Sequence, residues 1–444
     1  MSHFNRRKTI TIRRQSLTTG GTLFAAFLIF TSDTAAQTST LMTLHAFSGP
    51  DGAKPPGGVA IGPGVVLYGV TPYGGSGPCA NADFAPGCGT VFSLTPPASV
   101  GGAWTEAVIY SFPSQAVPSA TLAVGPGGVL YGTTAYGGTS NQGTVFSLVP
   151  PASPAGEWTE TVLYSFTGNS SGGAGPSGVV IGPNGVLYGT TGGGGTLDQG
   201  TVFSLAPPVS PGGEWTETVL HSFSARPDGS EPLAGVAIGR DGALYGTTWL
   251  GGYLYQGTVF TLTPPVSPGG EWAERVIHNF GGTGDGAKPR AGVAIGTGEV
   301  LYGTTLQGGA AGGSGTVFSL TPPASSGDPW AETVLYTFAN PGGAEPADPS
   351  APVVIGSGGV LYGTTAYGGI DNIGTVFSLK PPASPGGPWT ETVLYGFTGG
   401  SGAPAPDGRN PSAGLAIGPN DVLFGTTQGG GTDTSLGTVF LVSP

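Results

Sequence analysis

Three aspartates lie in comparable loops of this 444-residue chain and are candidates for acid–base chemistry: Asp198, Asp371 and Asp433. Two carboxyl groups, one protonated as an acid and one ionised as a base or nucleophile, are enough to cleave a glycosidic bond. If the fold brings these side chains to one funnel, they predict a polysaccharide-degrading hydrolase or lyase. We keep this function as the alternative to a non-catalytic role.

Four further aspartates share the string Asp-Gly-x-x-Pro: Asp51, Asp228, Asp285 and Asp407. Asp-Gly followed by proline is typical of turns, and this is the preferred interpretation. The alternative is a calcium site in which these carboxylates act with Asp198, Asp371 or Asp433, because hard cations prefer clustered oxygen ligands. No other cofactor is expected.

Six aromatic residues are candidates for ligand binding because they occupy variable loops: Tyr73, Tyr136, Trp249, Tyr253, Tyr255 and Tyr367. Rigid amphipathic rings commonly bind flat sugars or protein partners. The alternative is that they pack between neighbouring structural units, because large aromatic side chains are more often buried than exposed. The sequence leaves both interpretations open.

Other enzyme signatures are weak. His45, His221 and His278 each occupy a repeat position that other copies fill with tyrosine, so they are not a catalytic cluster. Gly168 to Gly172 matches the Gly-x-Ser-x-Gly pattern, but a chain with 86 glycines contains such strings by chance. This one also lacks a following helix, which a nucleophile elbow requires.

The candidate aspartates and aromatic residues occur at equivalent positions of an internal sequence repeat. Leu-Tyr-Gly-x-Thr, with Phe424 replacing the last tyrosine, and Gly-Thr-Val-Phe each occur seven times at spacings of 54 to 63 residues. A third string, Trp-(Thr/Ala)-Glu followed by an apolar run, occurs only six times, the first at Trp104. The missing copy is at the other end of the chain, where Leu41 to Phe47 aligns with the end of this third segment.

Each repeat contains four short apolar, β-branched and aromatic runs separated by Gly, Pro and Asn, which predicts four strands. Seven such units whose ends complement each other predict an all-β, seven-bladed β-propeller in which the N-terminal strand closes the last blade. The predicted single domain covers residues 37–444. Its repeats are expected at about 57–112, 118–166, 176–223, 233–280, 290–338, 350–397, and 412–444 plus 41–47.

A glutamate recurs at the predicted outer edge of six blades: Glu106, Glu160, Glu217, Glu274, Glu332 and Glu391. Charged side chains on an edge strand discourage pairing with other molecules. We therefore expect these residues to protect the edges rather than to act in catalysis.

Residues 1–36 have the three parts of an export signal: a basic start, an apolar run from Leu23 to Phe30 and a small-residue end. Arg13 and Arg14 just before the apolar run also match a twin-arginine signal. The sequence therefore predicts a secreted, extracellular or periplasmic protein. In that oxidising setting, Cys79 and Cys88 are expected to form a disulfide within one loop.

The segment after the signal is strongly acidic. Residues 1–36 contain five of the 13 basic and one of the 25 acidic residues, so the remainder has 8 basic and 24 acidic residues and a net charge of −16. Such a surface repels phosphate backbones and anionic lipids. We expect no nucleic-acid partner, no membrane partner once the signal is removed, and a monomeric ring.

The strings Gly185 to Thr191 and Gly200 to Leu205, with the Asp-Gly-x-x-Pro segments, resemble the GloVer (Gloeo/Verruco) tandem repeat of exported bacterial proteins. The resemblance covers essentially residues 41–444. It implies an extracellular, propeller-like repeat protein and brings no catalytic residues. Members carry varied C-terminal anchors, whereas this chain ends at Pro444 without one, which leaves attachment to a cell surface open.

Taken together, these patterns predict a secreted binding or scaffold module without evident catalytic activity. Its ligand is expected to be an extracellular glycan or protein on the variable-loop face, because function commonly lies on loops held by a rigid frame.

Overall fold

The computed structural model describes residues 39–444 with the exception of 80–84, 100, 115, 154–155, 171, 211, 268, 282–283, 311–312, 326, 339–345, 370, 385, 400–406 and 432–435. The predicted signal segment, residues 1–36, and Asp433 lie outside the described residues. None of the helices in the described part of the chain is long and apolar enough to cross a membrane.

Seven antiparallel sheets of four strands each form the blades, and in six of them the strands lie side by side in chain order. The first three blades contain β2 (Ala60–Ile61), β3 (Leu67–Thr71), β4 (Thr90–Thr95) and β5 (Thr105–Ser111); β6 (Ala123–Val124), β7 (Leu130–Thr134), β8 (Thr144–Val149) and β9 (Thr159–Ser165); and β10 (Gly173–Ile181), β11 (Leu187–Gly194), β12 (Thr201–Ala206) and β13 (Thr216–Ser222).

The next three blades have the same order. They contain β14 (Ala237–Ile238), β15 (Leu244–Thr248), β16 (Thr258–Thr263) and β17 (Ala273–Asn279); β19 (Ala294–Ile295), β20 (Leu301–Thr305), β22 (Thr316–Thr321) and β23 (Ala331–Thr337); and β24 (Val354–Ile355), β25 (Leu361–Thr365), β26 (Thr375–Lys380) and β27 (Thr390–Gly396). A separate two-stranded ribbon of β18 (Gly286–Ala287) and β21 (Gln307–Gly308) accompanies the fifth blade.

The seventh blade joins the two ends of the chain. It contains β28 (Ala416–Ile417), β29 (Leu423–Thr427), β30 (Thr438–Ser443) and, as its outer strand, β1 (Thr40–Ala46). β1 pairs with β30 from Thr40 opposite Ser443 to Ala46 opposite Thr438. The predicted seven-bladed propeller with four strands per blade and an N-terminal closing strand is therefore confirmed.

Tight turns connect the first and second strands of the blades. In six blades they are short 3-10 turns: Pro63–Val65, Pro126–Gly128, Pro183–Gly185, Thr297–Glu299, Ser357–Gly359 and Pro419–Asp421. Each contains a residue with positive φ, such as Asn184 (57°) or Gly64 (69°). The Gly and Asn of these turns fit because they adopt this backbone conformation at low cost.

Aromatic side chains pack each blade against the next. The phenylalanine that follows each outer strand lies edge-to-face on a phenylalanine in the third strand of the following blade. Phe47 and Phe92 make this contact between the seventh and first blades, with ring centroids 5.2 Å apart. Because apolar residues fill both faces of the blades, their strands do not show a simple alternation of polar and apolar residues.

Hydrogen bonds near the axis follow the same repeat. Threonines of the second strands donate to backbone carbonyls of the next blade, as Thr190 does to Ala234 at 2.7 Å. Thr426 donates to Gly57 at 2.9 Å across the join between the last and first blades. The ring is therefore closed by side-chain hydrogen bonds as well as by β1.

The insertion in the first blade carries the predicted disulfide. Cys79 and Cys88 are bonded, and Cys88 is buried beside Phe112 in the core between the first and second blades. The disulfide prediction is confirmed, and the bond fixes one loop to the frame.

Candidate functional site

One face of the ring, here called the loop face, consists of the blade-to-blade links and the loops between second and third strands. Every link forms a backbone bridge with the loop of the blade it enters. The bridged pairs are Ala53 with Tyr73, Pro118 with Thr134, Gly173 with Gly194, Ser230 with Leu250, Gly286 with Gly308, Ala347 with Tyr367, and Arg409 with Gly429. Loops held in this way can present side chains in fixed positions.

The structure separates the six candidate aromatics into two groups. Tyr73 packs against the core cluster around Phe47, and Trp249 has its indole Nε1 buried. The other four are exposed on the loop face: Tyr136, Tyr253, Tyr255 and Tyr367, between 44 and 61%. The packing interpretation therefore fits the first group, and the second remains available for contact.

Loops of the second, third and sixth blades share a turn. Asn141, Asp198 and Asn372 have φ between 54° and 56°. Each side-chain oxygen accepts the backbone N–H four residues earlier, at 2.9, 2.7 and 2.9 Å. Short Asn and Asp side chains suit this left-handed position because they can hydrogen-bond locally.

The fourth blade breaks the pattern. At the equivalent place it has Tyr255, with φ of 56°, a conformation that is unfavourable for a bulky side chain. We call residues 249–256 the aromatic loop. Tyr253, Leu254 and Tyr255 are consecutive and more than half exposed, at 61, 56 and 52%.

Two polar residues outside the aromatic loop hold it in place. The guanidinium of Arg226, in the preceding link, lies 4.9 Å from the centroid of the Tyr255 ring and donates to the carbonyl of Tyr253. Asn279 Oδ1 accepts the backbone N–H of Tyr253 at 3.0 Å. A cation over an aromatic face is attractive, which offsets part of the backbone strain at Tyr255.

The candidate catalytic carboxylates are distributed around the ring. Asp198 belongs to the third blade, where it closes its own loop, and Asp371 is exposed in the sixth blade. Asp433 lies outside the described residues. The catalytic role of these residues stays a prediction, and the arrangement of Asp198 matches that of two asparagines with a turn role.

The four link aspartates lie at four different junctions between blades. Asp51, Asp228 and Asp285 contact His45, His221 and His278 at 2.8, 2.9 and 3.3 Å. Asp407 accepts a hydrogen bond from the Tyr395 hydroxyl at 2.8 Å. The structure therefore does not bring these carboxylates together as one calcium site; each fastens a link to the preceding outer strand.

Opposing effects act on the link aspartates. Burial raises the pKa of Asp51, but hydrogen bonds from His45 and Ser48 outweigh it and hold that pKa below its usual value. The same balance lowers the pKa of Asp228 through His221 and Ser224. Asp51 and Asp228 are therefore ionised and hydrogen-bonded near neutral pH.

The recurring glutamates do not point to solvent as expected. In Glu106, Glu217, Glu274 and Glu332, one carboxyl oxygen is buried without a hydrogen-bond partner. Burial raises the pKa of each of these carboxyls, to about 7 for Glu217 and Glu274. Edge protection by an exposed charge is therefore the wrong interpretation, because the carboxyls lie against the neighbouring blade.

This burial predicts a pH dependence of stability. Because the folded-state pKa of Glu217 and Glu274 lies above the ordinary 4.5, their stabilising contribution is complete below that pH and is lost as pH rises through about 7. Glu217→Gln and Glu274→Gln should each raise the free energy of unfolding at pH 8 by about 1 kcal/mol, after allowance for solvent screening.

Thermal unfolding from pH 4.5 to 8 measures this effect. Glu217→Gln and Glu274→Gln should change the melting temperature little at pH 4.5. As pH rises to 8, the melting temperature of each variant should fall less than that of the unsubstituted protein. Glu214→Gln is the matched control, since Glu214 is exposed three residues before Glu217. Equal pH profiles for Glu217→Gln and the unsubstituted protein would contradict the burial argument.

A cavity of about 430 Å³ lies on the axis, where the first strands of all seven blades begin. Its wall consists mainly of backbone and small side chains, such as Gly57, Ala120 and Gly178. Among the described lining residues, Arg290 alone carries a charge. The cavity offers few side chains with which to recognise a ligand, so the aromatic loop is the stronger candidate.

The sequence profile described as the Gloeobacter/Verrucomicrobia repeat matches residues 79–268 and 209–440. The chain belongs to this repeat family. This confirms the resemblance seen in the Gly-Thr-Val-Phe and Leu-Tyr-Gly strings. No curated protein sequence matches this family member.

Solved structures resemble this Gloeobacter/Verrucomicrobia repeat protein only at low sequence identity. PorZ, a surface component of the type-IX secretion system of Porphyromonas gingivalis, is 15% identical with a TM-score of 0.48; the match covers 86% of this chain and 46% of PorZ. A putative 6-phosphogluconolactonase from Bacteroides uniformis is 14% identical with a TM-score of 0.48, covering 83% and 88%. A gluconolactonase from Xanthomonas campestris is 13% identical with a TM-score of 0.39, covering 72% and 84%. The chain thus spans about half the length of PorZ.

One grouping escaped the sequence analysis. At the junction of the seventh and first blades, ligand-type atoms of His45, Asp51 and Glu106 all lie within 4.8 Å of one another. The sequence does contain a pattern that indicates this grouping. Each histidine precedes a link aspartate by six or seven residues, and a glutamate follows in the next outer strand. Treating the histidines as replacements for tyrosine concealed it.

Proposed function

We propose that this protein is an exported binding module that captures an extracellular glycan on its loop face through the aromatic loop of the fourth blade. The observation that carries the proposal is the run Tyr253, Leu254 and Tyr255, more than half exposed and held by Arg226. Sugar rings present apolar faces that stack on such side chains.

The asymmetry of the ring supports this choice. Where the fourth blade has Tyr255, the equivalent loops between second and third strands of other blades have turn-forming residues, such as Asn141 and Asn372. Strain retained at one position of a repeated structure suggests a function at that position. Exposed apolar groups also cost solubility unless a ligand uses them.

The compartment follows from separate observations. The Cys79–Cys88 disulfide is typical of proteins in an oxidising environment. The basic and apolar segments of residues 1–36 are typical of an export signal. Both support an extracellular or periplasmic location, where glycans are abundant ligands.

Retention on a glycan array tests the proposal, with residues 37–444 as the probe, since they contain every described residue. We expect retention on a defined sugar class and a loss of at least about tenfold with Tyr253→Ala. Tyr367→Ala is the control, because Tyr367 is the one exposed aromatic residue in the described part of the sixth blade. Retention that both substitutions leave unchanged would exclude the aromatic loop, and no retention would point to a protein ligand.

The same array tests the calcium alternative. Each variant is applied once with calcium and once with a chelator. Binding lost only in the chelator would support a calcium role for the link aspartates. Because these carboxylates are already engaged by histidine or tyrosine, we expect retention to be the same in both arms.

A further inference from the structure

The junction between the seventh and first blades contains three side chains of metal-ligand type. His45 Nε2 lies 2.8 Å from Asp51 Oδ2. A carboxyl oxygen of Glu106 completes a group whose ligand atoms are all within 4.8 Å of one another. His45 comes from β1, Asp51 from the link and Glu106 from β5, so the group joins two blades. Two ligands bound tetrahedrally at 2.0–2.1 Å are roughly 3.4 Å apart, so small movements suffice.

The surroundings of the group match those of a metal site. Asp51 Oδ1 accepts hydrogen bonds from Ser48 N at 2.8 Å and Ser48 Oγ at 3.0 Å. Such outer contacts orient a ligating carboxylate, and the second oxygen, Oδ2, faces His45 Nε2. Glu106 Oε1 is buried and has no hydrogen-bond partner. Glu217 Oε1, at a junction without histidine, is unpartnered as well, so this burial is shared by several outer-strand glutamates. Because a buried polar atom without a partner is costly, a metal bound through Glu106 Oε1 would relieve that cost.

The repeats provide an internal comparison. Histidine, link aspartate and outer-strand glutamate occur together in three junctions, at His45, His221 and His278. Three of the four junctions with tyrosine lack one carboxylate: Ser114 or Gly172 replaces the aspartate, or Leu41 replaces the glutamate. In the fourth, Glu345 replaces the aspartate and keeps a carboxylate. Tyrosine preserves the hydrogen bond to the link, as Tyr395 does with Asp407 at 2.8 Å. Packing alone therefore does not require histidine.

We propose that His45, Asp51 and Glu106 bind a zinc ion that ties β1 and the first link to the first blade. One imidazole and two carboxylates form a ligand set that suits zinc, with water in the fourth position. The imidazole makes calcium and magnesium less suitable, since these ions prefer oxygen ligands alone. Zinc binds a neutral imidazole at Nε2, so the single ring hydrogen then lies on Nδ1, and the contact between His45 Nε2 and Asp51 Oδ2 is replaced by a bond from each atom to the ion.

In the other two histidine junctions, the distance between the histidine and aspartate atoms is longer than in the His45 junction. His221 Nε2 and Asp228 Oδ2 are 2.9 Å apart, and His278 Nε2 and Asp285 Oδ2 are 3.3 Å apart. Among the described residues, only the His45 group meets the 4.8 Å limit for all three ligand atoms. We therefore expect the first zinc ion to bind there.

Zinc titration of residues 37–444, purified without a histidine tag, tests the proposal. Calorimetry and metal analysis after dialysis should give at least one bound zinc ion per chain, and cobalt should give the visible absorption of a four-coordinate site. Free zinc at 100 times Kd should raise the melting temperature by about 3 °C. A chelator should reverse this shift.

His45→Tyr is the matched variant, because tyrosine occupies this position in four other blades. It should keep the melting temperature measured in chelator and weaken zinc binding at the first site by at least tenfold. Ser48→Ala should weaken binding by about tenfold through the orientation of Asp51. His221→Tyr and His278→Tyr should leave the tightest site intact.

Two outcomes would overturn the proposal. One is the absence of zinc binding to the unsubstituted protein at micromolar concentration. The other is a tightest site that His45→Tyr leaves unchanged, which would place the ion elsewhere. Because all of these measurements use zinc and cobalt alone, they do not depend on whether the aromatic loop binds a glycan.

Discussion

Removal of β1 is expected to lower the melting temperature by roughly 10 °C or more, although the strand contains only the seven residues Thr40–Ala46. β1 supplies six residue pairs to β30, and without it the seventh blade has three strands and an unpaired outer edge. Phe47, directly after β1, would also be lost from the join between the last and first blades. A chain beginning at residue 48, followed by circular dichroism during heating, measures the effect.

A single substitution separates the packing of β1 from its backbone pairing. Phe47 is completely buried, so Phe47→Ala should reduce the free energy of unfolding by about 3–5 kcal/mol. Met42→Ala is the control in the adjoining strand β1, because Met42 is 56% exposed and should contribute less than about 0.5 kcal/mol. Equal melting of Phe47→Ala and the unsubstituted protein would mean that β1 does not close the ring.

The closing strand could be predicted because the N-terminal segment aligns with the end of a repeat and not with its beginning. When the N-terminal segment is aligned on its final aromatic residue, Phe47 corresponds to Phe166, and both are fully buried against the phenylalanine of the next blade. Leu-Tyr-Gly-x-Thr and Gly-Thr-Val-Phe each occur seven times, whereas the Trp-(Thr/Ala)-Glu string occurs six times. One blade therefore lacks an outer strand unless the N-terminal segment supplies it. Composition and turn residues then indicate strands, so the architecture follows from sequence alone.

The orientation of the outer-strand glutamates could not be predicted in the same way. Each outer strand contains a register shift against the third strand, as between Val91 and Phe92 opposite β5. An extra residue breaks the alternation of side chains between the two faces. No Gly or Pro marks this bulge in β5, so the sequence gives no sign that Glu106 turns towards the neighbouring blade.

The loop residues were partly predictable. Aligning the loop of Asp198 with the loops of Asn141 and Asn372 would have identified Asp198 as a turn residue. All three loops have a short polar side chain at the same aligned position. The same alignment would have singled out Tyr255 as the exception. Which aromatics are exposed could not be inferred, since Tyr73 and Tyr136 are both followed by Gly-Gly but only Tyr73 packs against the core.

Tyr255→Asn is expected to reduce glycan retention by at least about tenfold while leaving the fold as stable as before or more stable. Asparagine suits the φ of 56° and can accept the N–H four residues earlier, as Asn141 does. Relief of backbone strain should contribute about 1 kcal/mol. Loss of the Arg226 contact should offset about 0.5–1 kcal/mol of that gain.

Two measurements on one variant therefore distinguish a binding residue from a structural one. If Tyr255 only stabilised its loop, Tyr255→Asn would lower the melting temperature and retention together. If it contacts the ligand, retention should fall by at least about tenfold at an unchanged or higher melting temperature. The reverse substitution, Asn141→Tyr, introduces the strain without an arginine over the ring, so it should destabilise the protein by about 1 kcal/mol and confer no new retention. Asymmetry of this kind, in which one blade keeps an unfavourable residue that its equivalents avoid, is difficult to explain by folding alone.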